Sequence, residues 1–404
     1  SIKVSNKQNA NYQFGKSIKD IQGNIWFINY LGGLLKKTNS SGRFYFIPLY
    51  DKATGNIIDV PVNSIMPLHN YYYLSSYGKG LFMYDTITGR QKQIKFHGGL
   101  PEVDCNYVWP ITIHSPDTLW IGTQGGMFWL TKNSVYGRLP NKNGKPPIMD
   151  SVAISVHYTD GKGRLWIGLG KGNGICLYDN KKNEFTYFKG KLKNGYPLRY
   201  PMDIAEDSNG RLWFASDQSN TLLYFDEQSK TFIPVNLPFL RKNSIFFNSI
   251  FIDGQNIFWI GSNSGIVRYA PQDNTISIYG REKGLCHSFV EDITEDAHGN
   301  LWINTDGGLA CFNKEKKLFT NFYQSDGLPS EFLDFRFHSF PDGRICTGGF
   351  GGPVIFDPVL LLNTSKKMVP LIITGCKING RAINLHKEKT LSLKSSEKDI
   401  SFQF

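Results

Sequence analysis

The sequence predicts an all-β protein: a β-propeller of four-stranded blades followed by the start of an Ig-like β-sandwich. Three observations carry this expectation. A tryptophan-centred phrase recurs at a nearly constant interval, short strand-like runs bounded by turn residues surround each copy, and no segment has the pattern of a long amphipathic helix.

The phrase reads Gly23-Asn24-Ile25-Trp26, Leu119-Trp120-Ile121-Gly122, Gly163-Arg164-Leu165-Trp166, Gly210-Arg211-Leu212-Trp213, Phe258-Trp259-Ile260-Gly261 and Gly299-Asn300-Leu301-Trp302. From Trp120 onward the tryptophans fall 46, 47, 46 and 43 residues apart, and the 94 residues between Trp26 and Trp120 are two such periods. A copy without tryptophan therefore lies at Tyr72-Tyr73-Leu74-Ser75-Ser76, and a degenerate eighth at Gly343-Arg344-Ile345-Cys346 closes the series. A period of about 40–50 residues with four short strands matches a propeller blade better than a coil of a β-helix.

The blades follow in order along the chain. Residues 1–50 are expected to form a blade belonging to a preceding propeller. Residues 51–365 supply the seven further units and are expected to close as a seven-bladed ring, with an eight-bladed ring as the alternative. The eighth unit has no fourth strand of its own, so an earlier segment must provide it, and Arg43-Phe44-Tyr45-Phe46-Ile47 or Asn56-Ile57-Ile58-Asp59-Val60 could do so. Within a unit, as in Val290 to Phe312, an apolar run ends in Asp, a Gly-containing turn follows, and the tryptophan strand comes next. Glycine reaches positive φ in such turns at little steric cost. From residue 366 the repeat gives way to alternating strands around Asn379-Gly380, an incomplete sandwich that is too short, at under about 40 residues, to bury a core alone.

Size and composition fit this architecture. A chain of 404 residues exceeds one ordinary core, but in a radial array each blade packs only on its neighbours. The formal charge of +11 would suit anionic partners, yet the basic residues are scattered and no recognition helix or aromatic-basic platform stands out, which argues against nucleic-acid binding. The six cysteines form no Cys-x-x-Cys pair and no histidine sits at metal-ligand spacing, so buried free thiols are expected, without metal or cofactor. No apolar run of about 18 residues is present. The chain is expected to be part of a longer protein.

No catalytic constellation is found. Gly261-Ser262-Asn263-Ser264-Gly265 matches a nucleophile elbow in letters, but it occupies the hairpin that reads Gly122-Thr123-Gln124-Gly125-Gly126 in another unit. Glu206-Asp207 and Glu295-Asp296 recur at strand ends, where Asx-type turn capping is expected instead of acid–base chemistry.

The phrase Asp-x-x-Gly-Asn/Arg-Leu-Trp-Ile-Gly-Thr, with Asp326-Gly327-Leu328-Pro329-Ser330 entering the next unit, resembles the two-component regulator propeller repeat. Residues 370–404 look like the opening strands of the triple-tyrosine (Y_Y_Y) domain that follows such propellers. The resemblance covers nearly the whole chain. It implies the periplasmic sensor region of a hybrid histidine kinase that detects oligosaccharides and regulates polysaccharide utilisation. It also implies a homodimeric parent protein attached to the membrane through a segment absent from this chain. A propeller-fold polysaccharide lyase or glycosidase, and a protein-interaction propeller without a small ligand, are the alternatives.

Blade topology places the ligand surface. The turn between strands two and three shares a rim with the link into the next blade. One set of rim residues comprises Tyr30, Tyr77, Gln124, Asp217, Asn263 and Asp306, and the other comprises Asn106, Tyr107, Tyr200, Asn248, His287, Glu331 and Arg336. These positions vary between copies while their neighbours repeat, as a loop-borne recognition surface requires. Aromatic faces and planar polar groups suit sugar rings and their hydroxyls.

Overall fold

A computed structural model describes residues 14–19, 25–29, 34–37, 43–98, 103–139, 152–170, 172–182, 184–189, 192, 201–216, 221–237, 245–363, 375–383 and 399–403. The chain divides into two compact units, residues 40–361 and residues 1–39 with 362–404.

In the first unit the repeat becomes seven four-stranded antiparallel sheets. Blades 1 to 6 span residues 62–94, 108–138, 154–188, 201–236, 247–279 and 290–322 in simple up-and-down order. Blade 7 takes His338–Ser339, Ile345–Gly349 and Gly352–Phe356 from the end of the repeat and its outermost strand, Phe44–Phe46, from the beginning. Val354 faces Phe46 and Phe356 faces Phe44 in that ladder. Of the two segments that could close the ring, the structure uses the first. The ring accordingly starts before residue 51, and Ile47 and Leu49 behind the closing strand are buried.

Because each blade has two apolar faces, the core consists of seams between blades instead of one centre. A buried cluster fills each of the seven interfaces, including the one joining blade 7 to blade 1 through Ile47, Leu49, Leu74, Phe82, Phe335 and Ile355. The signature residue of each second strand points into the seam with the following blade. Trp166, with no exposed surface, packs among Phe188, Phe214, Phe225 and Phe232 of blades 3 and 4. An indole burying about 200 Å² contributes on the order of 5 kcal/mol of transfer free energy. Tyr73 fills this place in blade 1 and Cys346 in blade 7, both buried. This is why the period survives where the tryptophan does not.

Turn chemistry repeats as regularly. The Asp before each Gly-containing turn accepts backbone N–H groups two and four residues on: Lys162 and Arg164 for Asp160, Asn209 and Arg211 for Asp207, His298 and Asn300 for Asp296. The capping expected of Asp207 and Asp296 is present. At the opposite hairpin the last hydroxyl of strand two donates to a glycine carbonyl, Thr123 to Gly126, Ser262 to Gly265 and Thr305 to Gly308. Ser262 is wholly buried in this role, so its nucleophile-like sequence context is a turn device.

The second unit contains two three-stranded antiparallel sheets. One orders Phe14–Lys19, Ile25–Asn29 and Leu34–Lys37 consecutively. In the other, Gly375–Ile378 lies between Arg381–Ile383 and Ile400–Gln403, with Asn379 and Gly380 at positive φ in the turn.

Candidate functional site

The innermost strand of each blade faces the centre of the ring, and in five blades its pairing with the second strand slips at the same place. Register shifts occur between Val62 and Ser64, Ile154 and Val156, Pro201 and Asp203, Phe247 and Ser249, and Val290 and Asp292. The extra residue in each case is Asn63, Ser155, Met202, Asn248 or Glu291. A bulge bends the strand and re-aims its side chains. All five bulge residues line one central cavity of about 420 Å³, to which every blade contributes.

The bulged backbone is stitched from blade to blade around this cavity. Ser64 Oγ donates to Trp109 O at 2.8 Å, Ser155 Oγ to Pro201 O at 2.7 Å, Asn248 Nδ2 to Val290 O at 3.1 Å and Asn304 Nδ2 to Phe335 O at 2.8 Å. His157 completes the seam between blades 2 and 3, with Nε2 3.0 Å from Pro110 O and Nδ1 3.0 Å from Thr112 Oγ1. Burial pushes the His157 pKa down to about 4, so the ring is neutral at pH 7.

Arg336 dominates the electrostatics. Its Nη1 donates to Asp203 Oδ2 at 3.0 Å and Asp292 Oδ1 at 3.1 Å, while Nη2 donates to the carbonyls of Met202 at 2.6 Å and Asn248 at 3.1 Å. Its backbone N–H reaches Asn63 O at 2.7 Å. One residue thus contacts blades 1, 4, 5 and 6 from blade 7. The two paired carboxylates also accept backbone N–H groups across seams, Asp203 from Ile250 and Asp292 from Phe337. The flanking carboxylates hold the Arg336 pKa above its ordinary value against the desolvation cost. Desolvation nonetheless raises Asp203, and raises Asp292 to about 6 with its neighbour Asp203 adding to the effect.

A second acidic group lies beside this clasp. Burial first, then the charges of Asp334 and Asp306, push Glu291 up to about 8, and burial also raises Asp334. Asn63 Nδ2 is 3.4 Å from Asp334 Oδ2. Tyr77 and Trp109 line the cavity with their rings edge-on at 5.8 Å between centroids, and Tyr107 packs edge-on against Tyr77 at 5.5 Å.

The expected rim residues are distributed as follows. Tyr77, Asn248 and Arg336 line the cavity, and Asp306 sits beside Glu291. Tyr107 flanks Tyr77, and Gln124 bonds through its backbone N–H to Tyr107 O. Asn106 Oδ1 caps Phe96 N and Asn263 Oδ1 caps Phe246 N, so both side chains hold loops. His287 Nδ1 accepts from Phe289 N and Glu331 Oε1 from Gln324 N. Tyr30, Tyr200 and Asp217 lie outside the described residues. Sequence reasoning passed over Asn63, Trp109, Asp203, Glu291, Asp292 and Asp334. The available signal was the shared place of the first five at the start of an innermost strand; Asp334 precedes the His338–Ser339 strand.

Comparison with known proteins gives concordant results. The family model "Two component regulator propeller" matches residues 195–218. Histidine kinase P4 of Formosa agariphila is 24% identical over 306 residues, covering 71% of this chain and 21% of that protein. The extracellular domain of the hybrid two-component system BT3049 of B. thetaiotaomicron superposes with a TM-score of 0.73 at 20% identity, covering 99% of this chain and 51% of that one. That of BT4673 gives 0.62 at 19% identity over 78% of this chain and 39% of the other. The chain thus spans about a fifth of the curated relative and about half of the BT3049 domain.

Proposed function

We propose that this chain, a propeller of two-component regulator repeats sharing its fold with extracellular sensor domains of hybrid two-component systems, is the periplasmic ligand-sensing segment of a hybrid histidine kinase. Its ligand is an oligosaccharide, and its role is to regulate polysaccharide utilisation. The observation carrying this reading is the central cavity, which combines the aromatic rings of Tyr77 and Trp109 with polar side chains drawn from every blade. Aromatic faces stack on pyranose rings, and the Asn, Ser and carboxylate groups match hydroxyls. The cavity is of the size usual for small-molecule sites.

On this reading the parent protein is a homodimer anchored in the inner membrane. Ligand changes kinase output only by binding two arrangements of the sensor unequally. The test is a thermal-shift and calorimetric screen against neutral, uronic, sulfated and amino oligosaccharides, with mass spectrometry of the glycan afterwards. Stabilisation of about 2.7 kcal/mol at 100 times the dissociation constant, with the glycan unchanged, is expected of a sensor. Cleavage of the glycan would point to a lyase or glycosidase, and silence to a protein partner.

A further inference from the structure

The chain carries a formal charge of +11, but its central cavity has the opposite character. Among the described residues, the lining brings four carboxylates, Asp203, Glu291, Asp292 and Asp334, against one guanidinium. The two lining histidines, His157 and His338, are held neutral by burial. Both terminal nitrogens of Arg336 already serve two acceptors each, so its two carboxylates and two carbonyls hold all but Nε–H. An anionic substituent entering the cavity would meet no uncommitted terminal guanidinium nitrogen there, and it would meet Glu291 and Asp334.

A second observation is independent of this charge balance. Asn63 is 6% exposed and lines the cavity, and its amide orientation is fixed by Nδ2 lying against Asp334. Its Oδ1 is buried without a hydrogen-bond partner. A buried acceptor left unmade costs about 1–3 kcal/mol, so it marks a place where a donor is missing. The site therefore lacks donors and positive charge together. A primary ammonium supplies both, with three donors and no acceptor.

We infer that the ligand carries a primary ammonium group, as an amino sugar does, seated among Glu291, Asp334 and the amide oxygen of Asn63. The inference deepens the oligosaccharide reading and rests on it for the sugar, but not for the amine.

The test uses the full chain and matched probes: a glucosamine trisaccharide, its N-acetylated twin, a uronic trisaccharide and a simple alkyl diamine, each titrated by calorimetry. The glucosamine trisaccharide is expected to bind at least tenfold more tightly than its N-acetylated twin, and to weaken as salt is raised. Asp334→Asn and Glu291→Gln are each expected to weaken it at least tenfold. At pH 8 and above, where Glu291 is ionised, their ligand-free melting temperatures should rise, since each then removes a like charge from the cluster, whereas loss of a merely structural carboxylate would lower them. Amine binding indifferent to both substitutions and to salt overturns the proposal. Binding of the N-acetylated or uronic probe without the amine overturns it and leaves the sensor reading standing. Binding of the diamine with no preference for any sugar sustains the amine site and overturns the sugar. Silence from all four overturns both.

Discussion

The carboxylate of Asp160 accepts the indole N–H of Trp166 at 2.8 Å. The same bond, across the same spacing in sequence, joins Asp207 to Trp213, Asp253 to Trp259 and Asp296 to Trp302 at 2.8–2.9 Å. One acid therefore closes the turn with one oxygen and orients the seam-filling indole with the other. Asp160→Ala strands the buried indole N–H and two backbone donors, and is expected to cost about 2–4 kcal/mol in urea unfolding. Blade 2 has His114 at this place, its ring 4.4 Å from Trp120. His114→Ala removes a packing contact and no ion, so about 1 kcal/mol is expected.

Glycine is required where strand three begins. Gly265 has φ +107°, and a Cβ there would lie 2.4 Å from Tyr279 O. Gly265→Ala must both strain the backbone and push the outer strand away. A loss of at least about 2 kcal/mol is expected, whereas Gly254→Ala, with open space around it, should stay within about 0.5 kcal/mol. Chemical denaturation of the two variants side by side checks the contrast.

Ring closure gives a truncation test. Removing residues 1–39 leaves the ring unit whole, and a cooperative unfolding transition is expected to remain. Removing residues 1–50 also deletes Phe44–Phe46 and the buried Ile47 and Leu49, opening the edge of Gly352–Phe356. Exposed strand edges pair with other chains, so light scattering should reveal association of the shorter protein but not of the longer one.

The Glu291 carboxyl sets a pH dependence. Its folded pKa is raised from 4.5 to about 8, so between those values the unfolded chain has released the proton that the folded protein still holds. Unfolding is thereby favoured progressively as pH rises through this window, and the stability present at low pH is lost by about pH 8. Glu291→Gln cannot titrate. The melting-temperature difference, variant minus parent, should therefore grow from about pH 5 to about pH 8 and then level off; a constant difference would refute the assignment.

The thiols should be inert in the folded state. Desolvation raises Cys311 to about 12 and moves Cys176 and Cys346 up as well, and all three are buried. Alkylation at pH 8 is expected to modify them only after denaturant is added.

The ring was legible in the sequence because its information is local and repeated. The acid, the turn glycine and the tryptophan fall within seven consecutive residues, and the bonds that close the turn and orient the indole lie within that stretch. The cavity was legible only in part. Rim topology pointed to Tyr77, Asn248 and Arg336, whose loops follow the repeat. Glu291 and Asp292 read as interior residues of a strand, since strict alternation sends neighbours to opposite faces. The bulge between Val290 and Asp292 breaks that alternation, and no residue type in the sequence announces it. The commitment of Arg336 to Asp203 and Asp292 likewise joins residues far apart in the sequence, invisible to any local pattern.

The pairing of Phe46 with Val354 also orders events during synthesis. The strand made first in this unit leaves the ribosome long before its partner exists, and it must stay unpaired while six blades are translated. Long-range pairing of this kind slows folding and leaves an apolar edge waiting. The nascent chain is thus most vulnerable to chaperones and proteases late in translation, and the last hairpin to emerge converts an open stack of sheets into a sealed circle.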